Sequence, residues 1–157
     1  MEQNMGCDIH SHAEKNDNGQ WVHMEVAAFD RRHCYHNLFG WLAGVPNHFG
    51  LTPLAALRGL PADASIQTTE DHNSWLGDAH SESWVGMNEL LAVDYDQPTR
   101  WVSLDELLAA NEAHATDDQP HLHQHGTLRE FLGPNYFAAI QRLQDAGADR
   151  VVFWFDN

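Results

Sequence analysis

Asp8, His10, His12 and Glu14 stand at every second position near the start of the chain, separated by Ile9, Ser11 and Ala13. In a β-strand alternate side chains share a face about 6.5–7 Å apart, so a strand here lines up two imidazoles and two carboxyl groups. Those groups are ligands that Zn²⁺, Mn²⁺ and Fe accept, and histidine moves protons near neutral pH. The Asp-x-His spacing returns at Asp78-Ala79-His80, with Glu70-Asp71-His72-Asn73 just before it. The expectation is one divalent ion held by Asp8, His10, Asp78 and His80, with His12 as a further ligand or proton shuttle and Glu14 or Glu25 as base. Zn, Mn or Fe suits this mixture better than Mg²⁺, which takes oxygen ligands. The plain alternative is a solvated ribbon face with ordinary cross-strand pairs. Such faces are normally built from Lys, Glu and Thr, so the histidines weight the reading toward a site.

Asp156, at the end of an apolar C-terminal run, is a further candidate, because sheet ends commonly present ligands. His121-Leu122-His123-Gln124-His125 has the spacing of a metal clamp, but it sits in a polar stretch beside Asp117 and Asp118, which favours adventitious surface binding. Arg31 and Arg32 open a helix whose dipole disfavours cations there. With Tyr35 and Arg58 they are the expected contacts for an anionic ligand, and Trp75 and Trp84 are the expected stacking partners. Asp30 beside them offers a simpler neutralisation. Covalent catalysis lacks a motif: no Gly-x-Ser-x-Gly elbow, phosphate-binding Gly loop or Cys-x-x-Cys pair occurs, and Cys34 falls on the apolar stripe of a helix.

These residues need elements to hold them. Asn18-Gly19 is the strongest short-range hairpin signal, because both residues tolerate positive φ. Gln20 to Phe29 then alternates, with Val22, Met24, Val26 and Ala28 on one side and Trp21, His23 and Glu25 on the other. A two-residue turn sets Glu14 opposite His23, and a four-residue turn sets His12 there; either puts the polar rows on one face. Residues 31–44 read as a helix capped by Asp30, with Cys34, Leu38, Trp41 and Leu42 inward and Gly44 as its stop. Residues 46–83 form a loop-rich excursion, helical only at Leu54–Leu57, of a length that is usually functional. Trp84–Leu91 and Trp101–Leu108 each read as a strand into a helix, the second capped by Ser103 and Glu106.

Residues 114–126 read as a polar loop. Thr127 caps a helix that runs, broken at Gly133-Pro134, to Gln144, and Gly147 ends it. Residues 150–157 form a strand apolar on both faces, which belongs in the middle of a sheet. The fold class is α+β: a small, mostly antiparallel sheet with an N-terminal hairpin and a buried C-terminal strand, helices on one face and the loop-rich insertion over the other.

At 157 residues with 43% apolar side chains, the chain fits a single domain with a real core, residues 1–4 being a loose extension ahead of a candidate initiator at Met5. No stretch is long and apolar enough for a membrane span, and two cysteines are too few for a disulfide framework, which together point to the cytoplasm. The net charge of −15, with Lys and Arg totalling 8, argues against direct binding to a DNA or RNA backbone or to an anionic membrane. An anionic ligand therefore needs clustered Arg or a bridging cation. Twelve histidines keep metals in view.

Two resemblances carry the reading further. Asp8-Ile9-His10-Ser11-His12 resembles the Asp-x-His-x-His opening of amidohydrolase and PHP-type metal-dependent hydrolases, where that strand supplies metal ligands. Those enzymes are α/β barrels longer than this chain, so the likeness implies local chemistry and not the fold. Over nearly its whole length the chain resembles a family of small phage and prophage proteins that open Met-Gly-Cys-Asp-Ile-His, as residues 5–10 do. Asn37-Leu38-Phe39-Gly40-Trp41-Leu42-Ala43-Gly44-Val45, Arg58-Gly59-Leu60-Pro61, His80-Ser81-Glu82-Ser83-Trp84 and Phe153-Trp154-Phe155-Asp156-Asn157 share that character. The likeness implies a phage accessory role, including destruction or sequestration of a host's nucleotide immune signal. The leading expectation is a small metal-dependent hydrolase, phosphodiesterase-like, acting on a nucleotide or other phosphorylated small molecule. The alternative is a nucleotide-signal sponge that binds without catalysis. A third is an acidic interaction protein that mimics nucleic acid.

Overall fold

The fold is described from a computed structural model, for residues 8–29, 36–44, 51–102 and 123–156. Asp8–Asp17 (β1) and Gln20–His23 (β2) form the hairpin with the two-residue turn: Asn18 and Gly19 take φ of 52° and 90°, and Glu14 faces His23. Positive φ at both turn positions is what Asn-Gly supplies at little cost. The second strand is shorter than its alternation to Phe29 suggests. It ends at His23, and Met24 N–H makes one further bond to Ala13 C=O at 2.9 Å. Met24 and Val26 still pack on the core and Ala28 is buried, whereas Val22, on the sheet's edge strand, is 45% exposed.

The chain continues through α1 (His36–Ala43), α2 (Ile66–Ser74), β3 (His80–Gly86), α3 (Met87–Ala92), β4 (Pro98–Val102), β5 (His123–Thr127), α4 (Leu128–Leu132), α5 (Pro134–Ala146) and β6 (Arg150–Asp156). β6 lies inside a four-stranded antiparallel sheet of order β2-β1-β6-β3, and every one of its residues is buried, as a strand apolar on both faces requires. Its Val151, Phe153 and Phe155 meet Ile9, Ala13 and Val85 in a core completed by Leu42 of α1, Leu90 of α3 and Ile140 of α5. The α+β arrangement read from the sequence is therefore observed.

Local chemistry accounts for the breaks. Thr127 Oγ1 accepts from Glu130 N–H at 3.1 Å while Glu130 Oε1 accepts from Thr127 N–H at 3.2 Å, a capping box that starts α4. Gly133 (φ 82°) then interrupts the run, and Pro134 opens α5, where its missing N–H has no helical partner to lose. Three readings change. Leu54–Leu57 holds no helix, whereas residues 66–74 do, started by Ser65, whose Oγ accepts from Thr68 N–H at 3.3 Å. His123–Thr127 is a strand paired with β4, not the end of a polar loop. The expected helix beginnings before His36 and at Ser103 lie outside the described residues, as do Arg31, Arg32, Cys34, Tyr35 and His121.

The second face of the sheet is polar, and α2 covers it. Here Glu14 is fully buried: Arg150 Nε donates to its Oε1 at 2.9 Å, and Ser65 N–H and Thr68 Oγ1 each donate to its Oε2 at 2.8 Å. Arg150 also reaches Asp63 at 3.2 Å and lies 3.7 Å from the centre of the Trp21 ring. Burial pushes the Glu14 carboxyl up, but the hydrogen bonds from Ser65, Arg150 and Thr68 outweigh it and hold the group below its ordinary value. Glu14 is thus not the base expected from the sequence: donors fill both oxygens and neither meets solvent. It ties β1 to β6 and to the first turn of α2.

Glu14→Gln should cost about 3 kcal/mol of stability, because it leaves the Arg150 charge buried with only the mostly exposed Asp63 as a partner. Urea unfolding followed by tryptophan fluorescence measures this. A loss below about 1 kcal/mol would mean that the ion pair does not hold the layer together.

Candidate functional site

Thr68, Asp71, His72 and Trp75 recur at the three- and four-residue spacing of one helix face. That face meets the alternating residues of β1 in order. Glu14 takes Thr68, His12 takes Asp71, and His10 takes Trp75, whose ring centre is 4.3 Å from the imidazole. Two strand residues advance about 6.6 Å and three or four helix residues about 4.5–6 Å, so the two elements stay in step over this distance.

Trp154 of β6 is the floor of the layer. It is fully buried, and the rings of His10, His12 and His72 lie 5.9, 5.5 and 5.1 Å from its centre. Each of these imidazoles has a carboxylate on Nε2. His12 meets Asp71 Oδ2 at 2.6 Å, His72 meets Glu82 Oε1 at 3.1 Å, and His10 meets Asp156. An ionised carboxylate only accepts, so Nε2 carries the proton in all three rings, and a neutral ring then bears its lone pair on Nδ1. For His12 that lone pair faces another imidazole: Nδ1 lies 3.0 Å from His23 Nε2. For His72, Nδ1 is buried without a hydrogen-bond partner, as is Trp154 Nε1 beneath it. Burial pushes the Glu82 carboxyl up, but the His72 hydrogen bond, a backbone N–H and the nearby His72 and His80 charges leave it below its ordinary value.

His23 connects this layer to a cleft of about 400 Å³ between β2 and the start of α2, lined among others by Trp21, Asp63, Ser65 and Gln67. On its other side, His23 Nδ1 lies 3.7 Å from Glu25 Oε1, and the Glu25 side chain is 96% exposed. The arrangement is a line of carboxylate, imidazole, imidazole and carboxylate, running from Asp71 under the helix through His12 and His23 to Glu25 at the surface. It can accept a proton on one ring and give one from the next.

The expected metal set does not assemble. Among the described residues no group of three or more His, Cys, Asp or Glu side chains is placed to hold an ion. His10 Nε2 is taken by Asp156, and Asp78 is exposed after α2. His80 is turned away by a bulge: Ser81 adopts φ 57°, the β3 register shifts between His80 and Ser83, and His80 pairs with Phe155 on the opposite face of the sheet from His10.

Of the expected anion and stacking contacts, the three among the described residues, Arg58, Trp84 and Trp75, already have partners. Arg58 forms a two-pronged pair with Glu89 at 2.7 and 2.6 Å and lies 4.5 Å from the centre of the Trp84 ring. Trp75 is a lid on His10. Of the residues that do form the site, Asp156 is a candidate from the sequence in its own right, Asp71 and His72 stand just before the second Asp-x-His, and His23 lies on the polar row of the hairpin, but Trp154 gives no signal beyond an apolar strand. No protein-family model, curated protein or solved structure matches this chain.

Two measurements test this geometry. A long-range nitrogen–proton NMR spectrum should show His12 protonated on Nε2 with a bare Nδ1 at a pH where the ring is neutral. Asp71→Leu should release it into a mixture of both tautomers, and an unchanged spectrum would remove Asp71 from the site. Separately, the Arg58 hydrogen bonds outweigh burial and hold Glu89 at about 2, against an ordinary 4.5. A lowered carboxyl stabilises above its unfolded value and loses that contribution as pH falls through the folded one. Glu89→Gln should therefore reduce the pH dependence of stability between about 4.5 and about 2. Glu14 and Glu82, also lowered, should leave part of the slope in place.

Proposed function

We propose that this chain is a small hydrolase acting on a phosphorylated small molecule, with His12 and His23 as its proton-transfer pair. The observation that supports this is the 3.0 Å approach of His12 Nδ1 to His23 Nε2, with Asp71 behind the first ring and a cleft beside the second. Asp71 holds His12 in the tautomer whose Nδ1, once an entering substrate parts it from His23 Nε2, can take a proton from water. The water oxygen then bonds to phosphorus. His23, as an imidazolium with Glu25 beside its Nδ1, returns a proton from Nε2 to the departing oxygen. Such proton transfers contribute roughly 10²–10⁴-fold each. Phosphodiester cleavage suits the pair because the attacking and departing oxygens both need a proton moved. A nucleotide signal is the first substrate to try, on the strength of the chain's likeness to small phage proteins. Sequestration is the second reading, supported by Trp21 in the wall of the same cleft, whose ring face away from Arg150 can take a stacked base.

Incubation of the untagged protein with cyclic and linear nucleotides, followed by denaturation and chromatography, separates the two. Hydrolysis products are expected, and His12→Gln should lower their rate by roughly 10²–10⁴-fold. Recovery of intact ligand alone would replace hydrolysis with sequestration. Turnover untouched in His12→Gln would overturn the assignment of the pair.

A further inference from the structure

We infer that His12 Nδ1 and His23 Nε2 form a two-imidazole seat for a divalent transition ion, at residues other than those the sequence pattern suggests. The inference rests on the proposed site for its location but not on any turnover there. The first support is distance. Two nitrogens each about 2.0–2.1 Å from a tetrahedral ion stand about 3.3 Å apart. These two stand 3.0 Å apart, so an ion needs them to part by only a few tenths of an ångström.

The second is what lies behind each ring. Metal-binding imidazoles commonly give their other N–H to a carboxylate, which fixes the tautomer and makes the free nitrogen more basic. His12 has this support, with Asp71 Oδ2 2.6 Å from its Nε2; Glu25, 3.7 Å from His23 Nδ1, is beyond hydrogen-bond reach and adds only a carboxylate charge beside the second ring. The third is support: His12 is held against Trp154 where β1 pairs with β6, opposite Val152, and His23 is the last paired residue of β2, opposite Glu14, so the nitrogens are presented by strands and not by a loop.

Charge gives the seat a purpose. The chain carries −15, and among the described residues the two guanidinium groups nearest this layer are occupied, Arg150 by Glu14 and Asp63 and Arg58 by Glu89. An anionic substrate entering beside His23 meets Asp63 in the cleft wall and no guanidinium left open by those pairs. An ion between the imidazoles reverses that field. Two imidazole ligands favour Zn²⁺, Ni²⁺, Co²⁺ or Cu²⁺ over Mg²⁺ and Ca²⁺. When bound, such an ion would occupy the two nitrogens that otherwise move protons and would take over their task, polarising a phosphoryl oxygen and acidifying coordinated water. With two protein ligands, its remaining positions belong to water or substrate, so the ion is held loosely and exchanges.

The test is titration of the untagged protein with Co²⁺, read by visible absorption, and with Zn²⁺, read by calorimetry. Both are run in a background where His121, His123 and His125 are changed to Gln, which removes the stretch that has the spacing of a surface metal clamp. One ion per chain is expected. His23→Gln and His12→Gln should each weaken it at least ten-fold, and Asp71→Asn, which keeps a hydrogen bond to His12 but removes the charge, by about 10–100-fold. Glu89→Gln should change nothing, and far-UV circular dichroism confirms that each variant is folded. No ion in the background variant, or one bound equally by His12→Gln and His23→Gln, overturns the seat. Binding as expected without any hydrolysis leaves the seat standing and sinks the hydrolase. Hydrolysis by metal-free protein without ion binding does the reverse.

Discussion

A carboxylate removed entirely from water must have its charge answered on every side, and Glu14 is answered by three residues from two elements at once. Arg150 reaches it from the neighbouring strand, while Ser65 and Thr68 reach it from the start of α2. Those bonds decide where the helix begins relative to the strand. Once Thr68 sits over Glu14, the helical repeat puts Asp71 over His12 and Trp75 over His10 without further choice. The polar layer is therefore organised by its most deeply buried charge, which takes no part in the proposed chemistry itself.

The sheet separates two kinds of packing because β6 is buried on both sides. Its odd residues, Val151, Phe153 and Phe155, join an apolar core where shape and area dominate. Of its even residues, Arg150, Trp154 and Asp156 meet imidazoles and carboxylates, where unpaired groups are costly and direction matters, and only Val152 is aliphatic. The indole of Trp154 suits the boundary: its flat face supports His10 and His12 while the edge of His72 closes against it. Two nitrogens in this layer, on His72 and on Trp154 itself, remain without protein partners.

The same pairing of charges narrows what the molecule can recognise. Arg58 and Arg150, the described guanidinium groups beside the layer, are each bound to a carboxylate, so positive charge is scarce where an anion would enter. Imidazole is the exception, since it can be neutral, charged or a ligand according to what approaches. Four histidines in one covered layer give an acidic chain a place where its charge can be locally reversed.

Much of this is legible from local pattern. The Asn18-Gly19 turn, the Thr127–Glu130 capping box, the Gly133-Pro134 break and the two-faced terminal strand each depend on a few adjacent residues whose backbone preferences do not need the rest of the fold. The strand alternation correctly puts His10, His12 and Glu14 on one face. What it does not provide is their partners. α2 escapes a reading of the pattern because its buried face is Thr68, Asp71, His72 and Trp75, with no apolar period to betray a helix. The bulge at Ser81 reverses the face of His80, and a shift of one residue in register is invisible in a sequence that alternates either way. His10 and Asp156 are 146 residues apart. The amino-acid order determined which groups lie side by side along a strand. Only the tertiary structure decided which of them are spent on holding the layer together and which face one another across it, because that depends on distances between chain segments that no local preference encodes.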